Sequence, residues 1–156
     1  MCFWLTTLLL PGEVLPTEAS DPMPGKRFAV GAREAKWTKT ESLEGLSMDV
    51  NRIYLEPAMG SVICSYAQLT APAEMDVDLL LGFVGECSVD CNGQNILQGA
   101  VRGSFAPDTH RLRLHLLPGI NHLYITLSKQ FPECSFSAVL DGPAVSSRKH
   151  KYLVSE

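Results

Sequence analysis

Three stretches of this chain alternate apolar and polar residues with a period of two, and that period confines them to β-strands. In Met75–Val84 (MDVDLLLGFV), Met75, Val77, Leu79, Leu81 and Phe83 fall on one side, with Asp76 and Asp78 on the other. In His110–Leu116, Leu112, Leu114 and Leu116 oppose Arg111, Arg113 and His115. In Asn121–Leu127, Leu123, Ile125 and Leu127 oppose His122, Tyr124 and Thr126. A helix would require apolar residues at i, i+3, i+4 and i+7, which these segments lack. Strict alternation puts one face in the core and the other in water.

The rest of the chain from Lys26 onward repeats the theme. Short apolar runs are separated by Gly, Pro, Asn and Asp, the spacing of an all-β domain. Further strands are expected at Arg27–Val30, Arg52–Leu55, Val62–Leu69, Cys87–Cys91, Gln94–Leu97 and Ser135–Leu140. Asn92-Gly93 is the strongest hairpin signal, because a type I′ turn needs positive φ at both central residues. Pro118-Gly119 marks a second turn. Only Ser42–Leu46 leans helical, as a single turn. The expected fold class is all-β, a two-sheet antiparallel β-sandwich. Residues 26–145 form this domain, residues 1–25 an apolar start plus a Pro-rich linker, and residues 146–156 a basic tail. The apolar start, MCFWLTTLLL, carries no Lys or Arg. It reads as a signal peptide without a positive n-region, as a terminal strand, or as a start inside a longer protein.

Composition excludes several classes. With 46% hydrophobic and 19% charged residues the chain is not of the disordered kind. A net charge of −4 argues against a nucleic-acid partner, which needs a basic footprint. No apolar stretch of about 18 residues is present, so no transmembrane helix is expected. Cys64, Cys87, Cys91 and Cys134 read as small core residues, with a Cys64–Cys134 bridge as the alternative that would favour export. Cys87 and Cys91, four apart in a strand, are too distant to pair.

The order of motifs carries a resemblance. Tyr66 lies in one strand, Asn92-Gly93 closes another, and Leu116, Gly119, Asn121 and Leu123 follow in an L-x-x-G-x-N-x-L run. With Trp37 as an opening aromatic, this resembles the galactose-binding-like module, a β-sandwich of jelly-roll topology appended to glycoside hydrolases and other exported bacterial proteins. The likeness covers about Lys26–Pro143. It implies a non-catalytic accessory module, exported to the periplasm or outside the cell, whose partner is a carbohydrate. The competing expectation is a structural module that packs on a neighbouring protein domain and binds no small ligand.

Carbohydrate recognition needs an aromatic platform and fixed polar groups. The candidate platform residues are Trp37, Tyr124 and Tyr54. The wet faces of the two Leu-rich strands add Arg111, Arg113, His115 and His122. If those strands form a hairpin, Leu114 opposes Leu123, His115 opposes His122 and Arg113 opposes Tyr124. That register would make one basic–aromatic patch suited to an acidic sugar or a partner's carboxylates. Asp76, Asp78, Asp90 and Asp108 are the acidic residues considered for calcium, but they do not form an Asp-x-Asp-x-Asp loop, so no cofactor is expected. The chain shows no nucleophile elbow, phosphate loop, His-Glu-x-x-His helix or Cys/His dyad, so no catalytic residue is expected.

Overall fold

The parity that begins at Met75 holds to Cys91, with both faces buried at Leu81–Gly85 in the middle. In the computed structural model, which describes residues 2–42, 48–55, 57–103, 105–106, 109–141 and 153–154, Met75–Cys91 is one 17-residue strand. Its odd-numbered side chains point inward along the whole length, from Val77, Leu79, Leu81 and Phe83 to Cys87, Val89 and Cys91. The two strands expected at Met75–Val84 and Cys87–Cys91 are therefore one.

In chain order the strands are β1 (Cys2–Leu9), β2 (Arg27–Val30), β3 (Arg33–Lys36), β4 (Thr38–Ser42) and β5 (Met48–Asp49). A single helical turn, α1 (Val50–Ile53), follows. Then come β6 (Val62–Ala71), β7 (Met75–Cys91), β8 (Gln94–Val101), β9 (His110–Leu116), β10 (Gly119–Ser128), β11 (Ser135–Asp141) and β12 (Leu153–Val154). The architecture is all-β. Ten strands belong to one antiparallel network ordered β4-β1-β6-β10-β7-β11-β5, with β8 and β9 also on β7 and β12 on β6. Residues 75–84 of β7 pair with β9 and β11, whereas residues 85–91 pair with β8 and β10. Each half of β7 thus belongs to a different group of strands, and both groups contribute to one core. Leu114, Leu116, Phe136 and Leu140 come from the first group, and Ile63, Leu69, Leu123, Ile125 and Leu127 from the second.

The change of partners falls at Gly85. Its φ is +121°, and a Cβ built there would lie 2.6 Å from the Ser128 carbonyl oxygen of β10. Only glycine fits both the conformation and the close approach.

Segments outside this alternation behave differently. The residues expected as the strand Arg52–Leu55 are instead the end of α1 and a turn in which Leu55 has φ +54°. Four residues with one apolar pair cannot distinguish a strand from a helical turn by periodicity. The helical expectation at Ser42–Leu46 falls mostly on residues 43–46, outside those described. The apolar start is strand β1, inserted between β4 and β6. Trp4 faces the main core and meets Phe136 edge-on at 5.6 Å, while Leu5 and Leu9 face the opposite side.

That opposite side has a core of its own. The β2–β3 hairpin and the 3-10 turn Thr17–Ala19 lie over Leu5, Leu9, Cys64 and Tyr66, with Phe28, Val30, Ala35 and Trp37 between. Strand β6 is consequently buried on both faces, which is why Ile63–Ala67 is unbroken by an exposed residue. Cys64, Cys87 and Cys91 are buried free thiols, so Cys64 makes no bridge to Cys134. Burial pushes the Cys64 and Cys87 thiols up to about 12, which leaves them protonated and unreactive.

Gly85→Ala is expected to lower stability by about 2 kcal/mol or more, through the clash with Ser128 and the positive φ. Gly93→Ala, which meets nothing within 4 Å, should cost about 1 kcal/mol from its conformation alone. Urea unfolding midpoints of the two variants test the difference.

Candidate functional site

The outer cover stops partway across the large sheet, and the chemistry of interest sits at that boundary. Leu5, Tyr66, Tyr124, Asp90 and Asn95 are successive cross-strand neighbours on β1, β6, β10, β7 and β8. Side chains at such positions share a face and touch. Leu5 and Tyr66 lie beneath the cover, Tyr124 is half-buried at its rim, and Asn95 is exposed. In the adjoining row Gln68 opposes an exposed His122.

The three rings form one cluster. Tyr66 and Tyr124 lie 4.8 Å apart, tilted, and Tyr66 stacks on His122 at 5.8 Å. The Tyr66 hydroxyl sits 2.6 Å from His122 Nδ1, and the Tyr124 hydroxyl donates to the Ser20 carbonyl at 3.1 Å. The cover's rim is thus tied to the exposed part of the sheet. Desolvation, with smaller contributions from Tyr66 and Asp21, pushes the Tyr124 phenol up to about 12. Desolvation also raises Tyr66; the Gln68 side chain opposes this rise and Asp21 reinforces it. Both phenols therefore keep their protons at neutral pH.

Two asparagines fix the ledge. Asn121 is fully buried, and its Nδ2 donates to the Leu117, Gly119 and Leu69 carbonyls at 2.9, 3.2 and 3.3 Å. Its Oδ1 accepts from Leu117 N and Asn92 Nδ2, each at 2.8 Å. Asn92 Oδ1 in turn accepts from His122 N at 2.9 Å. The Asn92-Gly93 turn has φ values of +50° and +81°, the signs required of a type I′ turn. The two turn motifs are joined to each other, and His122 is held between them. Asp90 is braced separately, with Asn95 Nδ2 donating to its Oδ1 at 2.8 Å.

The hairpin expected from Leu112–Leu127 does not form. β9 pairs with the first half of β7, whereas β10 pairs with β6 and the second half of β7. The leucine faces are both inward, but they reach the core from different strand groups rather than side by side. The basic–aromatic patch is therefore split. Its basic part is a charge ladder: Asp78 accepts from Arg111 Nη1 at 2.7 Å and from Arg113 Nε at 3.1 Å. His115 Nδ1 lies 2.7 Å from Asp76 Oδ1, with Glu74 at 3.7 Å from Nε2. Arg111 and, more weakly, Arg113 hold the Asp78 carboxyl below its ordinary value, and Asp76 raises the His115 imidazolium. Asp76 and Asp78 thus serve as cross-strand partners for the cations that were read as a binding surface.

Trp37 is also corrected as a platform. It is 0% exposed, packed at 6.1 Å from Phe28, and its Nε1 donates to the Ala19 carbonyl at 3.1 Å. Its ring completes the outer core. Tyr54 is half-buried, its hydroxyl 2.6 Å from Thr6 Oγ1, and Asp108 lies outside the described residues. Of the sequence candidates, His122 and Tyr124 are brought together. Tyr66, Gln68, Asp90, Asn95 and Asp21 join them; none was expected as a carbohydrate-site residue, and Asp90 had been considered only for calcium. Tyr66 had been noted only as a fold marker, and the other four become neighbours only through strand pairing and the cover.

A separate open depression of about 580 Å³ lies between Leu10, Glu13 and Val14 and the β2–β3 turn. Its two charged side chains satisfy each other: Arg33 donates from Nη2 to Glu13 Oε1 at 2.6 Å and from Nε to Oε2 at 3.1 Å.

No protein-family model and no curated protein matches the chain. Solved structures do share its fold. A beta-glucosidase from Kluyveromyces marxianus matches with a TM-score of 0.53 and 13% identity, over 88% of this chain and 16% of that one. A GH31 alpha-xylosidase from Xanthomonas citri matches with 0.52 and 11%, over 97% and 16%. The PA14 domain of an antifreeze protein matches with 0.49 and 10%, over 64% and 55%. The chain spans about a sixth of the two enzymes and just over half of the third protein.

Two outcomes follow from the geometry. Trp37→Ala should cost about 3–5 kcal/mol and empty the outer core, seen as a lower thermal midpoint. The His115 pair contributes stability that is fully present below pH 6.5 and is lost as pH rises through the raised folded value. An NMR titration should place the His115 midpoint above 6.5 in the native chain and lower in Asp76→Asn.

Proposed function

We propose that this chain is a non-catalytic accessory module that binds carbohydrate, a two-sheet jelly-roll sandwich of the galactose-binding-like kind. The observation that carries the reading is the ledge of Tyr124, His122 and Tyr66 flanked by Asp90, Asn95 and Gln68. A pyranose presents an apolar C–H face and a ring of hydroxyls. The exposed side of the ring cluster suits the first, and the carboxylate and amides suit the second. The hydrogen bonds through Asn92, Asn121 and Ser20 hold these groups before a ligand arrives, which lowers the entropic cost of binding. The two solved enzymes of similar fold are a beta-glucosidase and an alpha-xylosidase. A fold that occupies a sixth of such a chain suits an appended position beside a catalytic domain.

A second reading has its own observation. Val14 is 79% exposed and Leu55 87%, with Leu10 and Met59 also out in solvent. Exposed apolar side chains of this kind suit packing on a neighbouring domain.

A glycan array probed with the full chain separates the two. Binding is expected, with loss of about tenfold or more in affinity for Tyr124→Ala and His122→Ala and no loss for Arg113→Ala. Glycan binding that survives both ledge variants would sink the assignment of the site. No binding to any glycan by a chain shown to be folded would favour the packing module.

A further inference from the structure

The charges around the ledge are unbalanced. The exposed half of the large sheet's outer face carries Glu86 and Asp90 on β7, and Asp21 stands at the rim of the cover. At this rim the Lys26 ammonium donates to the Asp21 main-chain carbonyl at 2.9 Å. Arg111 and Arg113, the basic residues that had suggested an acidic ligand, are engaged with Asp78 on the other strand group. Asp90 is the cross-strand neighbour of Tyr124, and Asn95 holds its Oδ1. No hydrogen bond reaches its Oδ2 from the described residues. A carboxylate oxygen beside a tyrosine ring is a place where an ammonium gains both a charge-assisted hydrogen bond and a cation–π contact.

On this basis we infer that the ledge takes a hexosamine unit with an unacetylated, protonated amine, in preference to neutral or acidic sugars. The inference rests on the carbohydrate reading and names the ligand class of that same site. The amine lies against Asp90 and the Tyr124 ring. A uronate or sulfated sugar would instead bring its anion up to Asp90 and Asp21 and be repelled.

The test is calorimetric titration of the full chain, at about pH 6 and low salt, with glucosamine hexamer, N-acetylglucosamine hexamer, an oligouronate and neutral hexose polymers. Glucosamine hexamer should bind about tenfold more tightly than the acetylated form, a difference of about 1.4 kcal/mol. The preference should shrink as salt is raised. Asp90→Asn should weaken the glucosamine hexamer much more than the acetylated one and bring the two to parity, and Asp21→Asn, on the exposed rim, should narrow the gap severalfold. Equal affinities in the native chain, or tighter binding of the oligouronate, would overturn the amine preference and leave the carbohydrate reading standing. Failure of every oligosaccharide, neutral hexose polymers included, would overturn both.

Discussion

The structure depends on β7 having two sets of partners. A strand has two edges, and this one uses both edges twice, with β9 and β11 along its first half and β8 and β10 along its second. Because its inward face keeps one parity throughout, both strand groups supply the same core. The exchange of partners requires Gly85, whose missing side chain lets β10 come close. The outward parity matters equally. Asp76 and Asp78 on the first half anchor the cations of β9, and Asp90 on the second half stands beside Tyr124. A single alternating strand therefore sorts the outward charges into a neutralised ladder and an acidic ledge.

The ledge depends on buried polar groups being satisfied. Asn121 lies in the interior with all of its hydrogen-bonding capacity directed at the Leu117–Gly119 turn, the Leu69 carbonyl and Asn92. A buried amide left unpaired would cost about 1–3 kcal/mol, so the arrangement is all-or-none. Its effect reaches His122 through two hydrogen bonds with Asn92, one from His122 N to the Asn92 side-chain oxygen and one from Asn92 N to the His122 carbonyl. Residues whose turn chemistry reads as purely structural thus also position an exposed ring.

Much of the fold was legible because period-two alternation is a local property. The strands at Met75, His110 and Asn121, and the turn at Asn92-Gly93, follow from neighbouring residues alone. Pairing is not local. Nothing in His110–Leu127 distinguishes a hairpin from two strands reaching one core from different groups, because both keep the leucines inward. Trp37 was misread for a related reason: a lone aromatic has no period, and its burial is decided by Phe28, Ala19 and β6, which lie elsewhere in the chain. The candidate site was half legible. His122 and Tyr124 were visible on a wet face, but Tyr66 and Asp90 become their neighbours only through the registers of β6 and β7. Tyr66 was further hidden by its place in a strand covered on both faces.

The first strand carries a consequence for assembly. Thr6 pairs with Thr38 on one edge and with Ser65 on the other, so β1 finds its second neighbour only after β6 has been made. On a ribosome, Trp4, Leu5 and Leu9 would emerge dozens of residues before β6 and wait, as an apolar edge, for its synthesis. Contacts this distant in sequence slow folding, and an unpaired apolar strand is the kind of segment that associates with other chains meanwhile. The outer cover must wait as well, since it packs on Leu5 and Tyr66 together. β1 and the cover above it thus precede in sequence the strand on which both depend.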